Sequence, residues 1–173
     1  MRRRSLALLV TVALALLSSN VATQSAPLRI VDSAPTAEVA DRSDAAEIRV
    51  VFSEPMVPLG RIPSDPSPSW IHITPALKGR FRWSGTTILI FTPDPATPLP
   101  YATRYSVQVD ASATSEAGHA LGQPYQFSFT TPTVRLTSMR WYRRQDRADQ
   151  PAVLVLGFNQ PVRAADVLAH TQV

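Results

Sequence analysis

The chain has 173 residues, 45% of them hydrophobic, with 16 prolines and only 6 glycines. This length suits one domain with a sizeable core plus a remainder, and it argues against two complete large domains. The formal charge of +4 depends on Arg2, Arg3 and Arg4, because without them 14 basic residues stand against 13 acidic ones. The remaining charge gives no strong field that would steer the protein onto phosphates, so nucleic acid is not an expected partner.

Residues 1–22 have the composition of a secretory signal peptide. "MRRRS" is positively charged, and "LALLVTVALALL", residues 6–17, is apolar and followed by small residues. Twelve apolar residues are fewer than the roughly 20 that a membrane-spanning helix needs. We expect cleavage after Ala22 and export to the periplasm, the cell envelope or the medium. An uncleaved anchor and a twin-arginine export signal are the alternatives.

Cysteine is absent from the sequence. This chain therefore has no disulfides, no thiolate metal site and no lipid-modified cysteine. An exported domain without disulfides must be stable on its hydrophobic core alone, which a domain of about 100 residues can achieve.

Short strand patterns separated by prolines follow the signal peptide. "LRIVDSAPTAEVADRSD" predicts one brief strand followed by a loop, and residues 47–52, "EIRVVF", place Ile48, Val50 and Phe52 on one face. Pro55 and Pro58 cannot donate to a strand ladder, so pairing is predicted to stop there. "WIHITP", residues 70–75, is another short strand closed by proline.

A β-hairpin is predicted from "GRFRW" and "TILIFTP", which flank the turn dipeptide Ser84-Gly85. Residues 104–109 and 125–130 alternate between apolar and polar side chains. About seven short strands without a helical stripe predict an all-β, antiparallel Ig-like sandwich over residues 23–132. Its predicted core consists of Ile48, Val50, Phe52, Phe81, Ile88, Ile90, Tyr105, Val107, Phe127 and Phe129.

Residues 133–173 are predicted to begin a second, incomplete β-domain. "TVRLTSMRWY" and "AVLVLGFNQPV" are strand-like, and "VLVLGFNQPV" repeats the form of "IRVVFSEPMV", residues 48–57. About 40 residues are too few to close two sheets, so we expect a fragment or a truncated gene product with unpaired strand edges.

The sequence predicts no catalytic, cofactor or metal site. The three histidines, His72, His119 and His170, are far apart. Acidic residues occur singly and form no calcium-loop motif, although Asp110 and Glu116 are an alternative pair for a site assembled in space. The other single acidic residues are Glu54, Asp65 and Asp94, and the glycines Gly79 and Gly85 belong to the hairpin rather than to a phosphate loop.

A run of arginines around Trp141 and Tyr142 has three interpretations. It resembles a nucleic-acid surface, a site for an acidic envelope surface, or a solvated junction at which the aromatic pair packs on a neighbouring domain. Export favours the junction. The arginines are Arg135, Arg140, Arg143, Arg144 and Arg147.

Several segments together resemble a known family. They are "VVFSEPM", "GRFRWSGTTILIFTPDP", "PLPYATRYSVQV", "SEAGHAL" and "FSFTTP". Over residues 28–132 they are similar to bacterial Ig-like modules of the S-layer-associated type, and especially to the N-terminal macroglobulin domains of bacterial alpha-2-macroglobulin family proteins. "WYRR" and "LGFNQPV" resemble the start of the next macroglobulin domain.

The resemblance implies a large exported protein that traps proteases with a bait segment and, in many members, a cysteine–glutamine thioester. Without cysteine this chain cannot form the thioester, and no bait segment is assigned. The implied function is a non-catalytic scaffold, whose partners are proteases through the full-length protein and neighbouring macroglobulin-like domains. The alternative is a secreted Ig-like adhesion or cell-envelope binding module.

Overall fold

The computed structural model describes residues 27–172, so the predicted signal peptide lies outside the described residues. The described part contains two four-stranded sheets, which together form a sandwich, and a separate two-stranded sheet. No helix in residues 27–172 has both the length and the hydropathy to cross a membrane.

The first sheet has the strand order β1-β3-β6-β5 and is antiparallel throughout. Its strands are β1 (Ile30–Ala34), β3 (Ile48–Phe52), β5 (Gly79–Ser84) and β6 (Ile88–Pro93). β5 and β6 form the predicted hairpin. Gly85 adopts a φ of 68° in its turn, a conformation that glycine reaches without steric cost.

The second sheet has the order β2-β8-β7-β4. Its strands are β2 (Ala37–Glu38), β4 (Ile71–Thr74), β7 (Arg104–Val109) and β8 (Tyr125–Thr130). The two-residue strand β2 pairs parallel to β8, whereas the other pairs are antiparallel. A 3-10 helix, Arg42–Ala45, leads from β2 back to the first sheet.

The core lies between the two sheets and confirms the predicted all-β, antiparallel sandwich. Tyr105 stacks on Phe129 with ring centroids 5.3 Å apart, and Phe52 meets Trp70 edge-to-face at 5.8 Å. Fully burying a phenylalanine such as Phe52 or Phe129 contributes about 1.5–3 kcal/mol. The buried cluster includes seven of the ten predicted core residues, namely Ile48, Val50, Phe52, Tyr105, Val107, Phe127 and Phe129.

The prediction of which side chains of β6 point into the core was wrong. Leu89 and Phe91 join the core, whereas Ile88 is half-buried and Ile90 is buried outside the core cluster. The register places Ile90 between Arg49 and Arg82, whose aliphatic stems can cover it on the outer face. The run "ILIF" is apolar at every position, so it contains no alternation from which the inner face could be recognised. The remaining predicted residue, Phe81, is half-buried and packs against the core.

A strand pair and a short helix follow the sandwich. β9 (Leu136–Arg143) pairs antiparallel with β10 (Ala152–Phe158), and a single 3-10 turn, Arg144–Asp146, lies between them. The helix α1 (Ala164–Ala169) was not predicted. Its sequence, "AADVLA", contains good helix formers but is too short to show a helical period.

Candidate interaction surface

Two histidines contact carboxylates that are distant in sequence. His72 Nε2 lies 2.9 Å from Asp110 Oδ2, and His119 Nδ1 lies 2.8 Å from Glu54 Oε2. The hydrogen bond from each histidine is the largest cause that lowers the pKa of the carboxyl group, for Asp110 from its ordinary 3.8 and for Glu54 from 4.5. The His170 side chain instead hydrogen-bonds the backbone oxygen of Asp166, through Nδ1 at 2.8 Å. No short-range motif marks either pair.

The Glu54–His119 pair lies beside a buried serine but does not form a nucleophilic triad. Ser115 Oγ accepts a hydrogen bond from the backbone N–H of His119 at 3.2 Å. A nucleophilic serine would instead donate to the imidazole nitrogen opposite the carboxylate. The Glu116 backbone N–H additionally donates to the Pro55 carbonyl at 2.8 Å. These contacts fix the loop between β7 and β8 against the end of β3.

The other acidic residues have local roles. Asp110 accepts hydrogen bonds from both His72 and Gln108, and Asp94 accepts from the backbone N–H of Ala96. Over residues 27–172, no three side chains of His, Asp or Glu are grouped so that they could hold a metal ion. The alternative calcium pair, Asp110 and Glu116, therefore has no third acidic or histidine ligand in this part of the chain.

The arginines around β9 do not form one patch. Arg143 donates to the carbonyls of residues 148 and 150, and Arg147 pairs with Asp149 at 2.7 Å. Trp141 and Tyr142 are neighbours on one strand, so they project to opposite faces of the strand pair. The predicted aromatic pair is thus divided between two surfaces.

One face of the strand pair is strongly apolar and exposed. The register places Leu154 opposite Trp141, Leu156 opposite Met139, and Phe158 opposite Leu136. Trp141 is 70% exposed, Met139 65%, Leu136 53% and Leu154 49%. Among residues 27–172 no sheet lies on this surface. We call it the apolar face; it consists of Leu136, Met139, Trp141, Leu154, Leu156 and Phe158.

The strand pair repeats the geometry of β1 and β3 at a displacement of 106 residues. Leu136 pairs with Phe158 as Ile30 pairs with Phe52 (136 against 30, 158 against 52). The register irregularity recurs as well, since one extra residue follows Ile30 in β1 and one follows Leu136 in β9. A one-residue bulge at the same position of both pairs is a specific structural feature, because bulges locally re-aim side chains.

The hydrogen bonds that close each strand pair also correspond. Arg29 N–H donates to Ser53 Oγ at 3.0 Å, and Ser53 N–H returns to the Arg29 carbonyl at 2.8 Å. At the same displacement, Arg135 N–H donates to Asn159 Oδ1 at 2.7 Å, and Asn159 N–H returns to the Arg135 carbonyl at 3.1 Å. A proline lies two residues after each closing residue, Pro55 after Ser53 and Pro161 after Asn159.

The junction between the sandwich and the strand pair is tied by Glu38. Its Oε1 accepts hydrogen bonds from Thr133 N–H at 3.1 Å and Thr133 Oγ1 at 2.8 Å, and it pairs with Arg135 at 2.8 Å. The bond from the Thr133 backbone is the largest cause that lowers the pKa of Glu38. Asn159 Nδ2 donates to the Thr133 carbonyl at 2.9 Å. Thr133 is therefore hydrogen-bonded both to Glu38 of the sandwich and to Asn159 of the strand pair.

Comparisons with known proteins identify a family for the sandwich. The model of the bacterial Ig-like domain family matches residues 24–131. Similar relatives include alpha-2-macroglobulin of Pasteurella multocida, 30% identical over 119 residues, which are 65% of this chain and 6% of that protein. Alpha-2-macroglobulin homologs of Nostoc sp. (26% identical over 134 residues, 73% of this chain) and Yersinia pestis (29% over 98 residues, 55% of this chain) also match.

The chain spans only 7% of the Nostoc protein and 5% of the Yersinia protein. Among solved structures, L,D-transpeptidase 3 from Mycobacterium tuberculosis, in complex with a faropenem-derived adduct, is similar with 14% sequence identity. The match covers 78% of this chain and 50% of that chain, with a TM-score of 0.37. A likeness of this size supports no inference about function.

Proposed function

The chain belongs to the bacterial Ig-like domain family, and we propose that it is a non-catalytic scaffold segment of an exported alpha-2-macroglobulin-like protein. We propose that the longer protein inhibits endopeptidases by trapping them. The chain corresponds to 5–7% of its alpha-2-macroglobulin relatives, so trapping depends on residues outside it.

The repeat at 106 residues is the observation that carries the proposal. An Ig-like sandwich followed by the first strands of a like unit is the arrangement of a chain of similar domains, and we propose that residues 133–173 begin a second such domain. Glu38 and Asn159 bond both sides of the junction, which favours a fixed angle between successive domains over a free linker.

The polar clusters of the described residues support a structural role over a catalytic one. His119, Glu54 and Ser115 use their hydrogen bonds to hold a loop against β3, and His72 bonds the carboxylate that follows β7. The substrate-positioning geometry of a hydrolase is not formed in either cluster. We propose that the partners are proteases, which meet the full-length protein, and neighbouring macroglobulin-like domains.

Export is proposed from the first 22 residues, which lie outside the described residues. Their charge and apolar run are those of a signal peptide, and the mature protein would begin at Thr23 in the periplasm, the cell envelope or the medium. N-terminal sequencing of the protein recovered from those fractions tests this part of the proposal. Recovery with an intact Met1 in the cytoplasm would contradict it.

The trapping role is tested with the longer protein that carries this segment. The protein is mixed with an endopeptidase, and cleavage is followed for a large protein substrate and for a small peptide substrate. A steric trap is expected to protect the large substrate and leave the peptide accessible. Phe52→Asp should abolish this protection because Phe52 is in the core, and Val31→Asp, an exposed substitution of the same kind, should retain it.

Equal cleavage of both substrates with and without the protein would contradict the trapping role. If the protein instead binds isolated envelope polymers, and Val31→Asp or another exposed change removes that binding, the alternative function as an envelope-binding module is favoured. The isolated chain is expected neither to cleave substrates nor to inhibit the endopeptidase.

A further inference from the structure

A cleft opens at one end of the sandwich, where β4 and β6 end and where β5 and β7 begin. It is lined by residues of the two connecting segments 75–78 and 94–103 and has a volume of about 380 Å³. We call it the end cleft. Its walls are mostly apolar and consist of Pro75, Leu77, Pro93, Pro98, Leu99 and Pro100.

The prolines make the end cleft a preformed one. A proline cannot donate to a strand ladder, so neither connecting segment continues the sheets across the opening. A proline ring also has almost no side-chain freedom to lose when a ligand packs against it. The segment is further fixed beside Thr103, because Ala102 adopts a φ of 51°, which alanine rarely does, and donates its N–H to the Pro132 carbonyl at 3.1 Å. Small-molecule sites are typically concave, apolar and formed before the ligand arrives.

The Tyr105 hydroxyl reaches the end cleft without a hydrogen-bond partner among residues 27–172. Tyr105 is only 2% exposed, its ring stacks on Phe129 in the core, and it lines the cleft. In this part of the chain every fully enclosed side-chain nitrogen or oxygen has a partner, so the unpartnered hydroxyl opens onto the cleft. The Tyr125 hydroxyl, by contrast, bonds Ser33 at 3.0 Å. An unpaired polar group at a buried residue is costly, so its partner comes from outside the chain, as water or as a ligand group.

Lys78 gives the end cleft a positive charge. It is the only lysine of the sequence and the only charged side chain among the described residues that line the cleft. Asp94, on the facing segment, accepts from the Ala96 N–H at 2.9 Å and does not line the cleft. Burial raises the pKa of Tyr105 above its ordinary 10.0, so its hydroxyl stays protonated in the neutral range and can donate. Two donors and one positive charge at an apolar cleft are complementary to a small anion with an apolar body.

We propose that the end cleft binds a small carboxylate with a compact apolar body. The body packs between the proline rings and Leu99. The carboxylate oxygens accept hydrogen bonds from the Tyr105 hydroxyl and from the Lys78 ammonium, whose flexible four-carbon stem follows the ligand. One water takes about 30 Å³ of liquid, so the cleft has room for on the order of a dozen waters or for one aromatic or branched acid. This inference does not depend on the proposed trapping role.

The test titrates 3-phenylpropionate into the chain without its first 22 residues and follows the backbone amides by NMR. Saturable shifts are expected at Leu77, Thr97 and Thr103, which line the cleft. The expected dissociation constant is on the order of 1 mM or below. The neutral analogue 3-phenylpropanamide has the same apolar body, and it should bind about 10-fold more weakly because it lacks the ion pair and the charge-assisted hydrogen bond.

Two matched pairs of variants separate the two donors from general effects. Tyr105→Phe should weaken binding about 10-fold or more, whereas Tyr101→Phe changes a nearby tyrosine that does not line the cleft and should leave binding unchanged. Lys78→Met should weaken binding about 2–5-fold and remove most of its dependence on salt. Arg80→Met removes a positive charge two residues away that does not line the cleft, and it should leave both nearly unchanged.

The thermal midpoint without ligand shows whether the protein itself uses the Tyr105 hydroxyl. Because this hydroxyl bonds no group among residues 27–172, Tyr105→Phe should keep or raise the midpoint. Tyr125→Phe removes the bond to Ser33 and should lower it. A fall for Tyr105→Phe as large as that for Tyr125→Phe would overturn the inference, because the hydroxyl would then have a partner within the fold.

The inference is also overturned if the amide shifts do not saturate by about 10 mM 3-phenylpropionate. Equal affinity for the carboxylate and the amide, or equal effects of Tyr105→Phe and Tyr101→Phe, would overturn it as well. Saturable shifts at Met139 and Leu156 in place of the cleft residues would do the same, because the probe would then bind the apolar face through its hydrophobic body alone.

Discussion

Replacing Phe52 with alanine tests whether β3 is a core strand and β10 a more exposed counterpart of it. Phe52 is 2% exposed, and its ring lies 5.8 Å from Trp70 and 6.2 Å from Trp83. Truncating a buried phenylalanine costs about 3–5 kcal/mol, and loss of the two aromatic contacts favours the upper half of that range. We expect the free energy of unfolding to fall by about 4 kcal/mol.

The matched control is Phe158→Ala at the corresponding position of β10. Phe158 is only half-buried, so its truncation should cost less than about 1.5 kcal/mol. The assay is urea unfolding followed by tryptophan fluorescence. With a slope of about 2 kcal/mol/M, Phe52→Ala should lower the midpoint by about 2 M. A cost below about 1 kcal/mol for Phe52→Ala, or equal costs for the two variants, would refute this reasoning.

Two further predictions concern acid stability and strand packing. The hydrogen bond from His119 lowers the pKa of Glu54 below its ordinary value of 4.5. The stabilisation that ionised Glu54 gives the folded protein is therefore complete above pH 4.5 and is lost as the pH falls through the lowered pKa. The urea midpoint of Glu54→Gln should therefore depend less on pH below 4.5 than that of the parent; identical slopes would contradict this. A Cβ at Gly79 would collide with the Thr92 backbone oxygen and the Phe91 ring, so Gly79→Ala should destabilise the protein by about 1–3 kcal/mol. Gly60→Ala, whose added Cβ meets no atom within 4 Å, should be neutral in the same unfolding assay.

The parts of the fold that were predictable are those in which polar residues interrupt an apolar strand. β7 and β8 alternate strictly, and Arg49 marks the outer face of β3, so both the existence of these strands and their inner faces followed from the sequence. β6 was predicted as a strand, but "ILIF" is apolar at every position and so does not show which of its side chains face the core. β2 has two residues, and its parallel pairing with β8 is decided by tertiary contacts that no local pattern encodes.

The contacts of the candidate surface were less accessible to sequence reasoning. His72 and Asp110 are 38 residues apart, and His119 and Glu54 are 65 apart, so only the fold brings them together. The repeat was recognisable in the strand, the aromatic residue and the proline that it shares. The apolar face was not recognisable, because the bulge after Leu136 changes which residues of β9 share a side with Phe158. A signal that could have revealed it is the fixed displacement of 106 between Ile30, Phe52 and their counterparts.

The two phenylalanine variants also connect the stability of the chain with its proposed assembly. A two-stranded hairpin alone is at best marginally stable in water, so β9 and β10 depend on Glu38 and on whatever covers the apolar face. If the covering strands are those of a second sandwich, Phe158 becomes a core residue when they are present. Phe158→Ala in the longer protein that carries those strands should then cost nearly as much as Phe52→Ala, about 3–5 kcal/mol instead of less than about 1.5. If Phe158→Ala lowers the free energy of unfolding only slightly in both proteins, β10 stays exposed in the longer protein, and the exposed leucines and Trp141 do not belong to a second core.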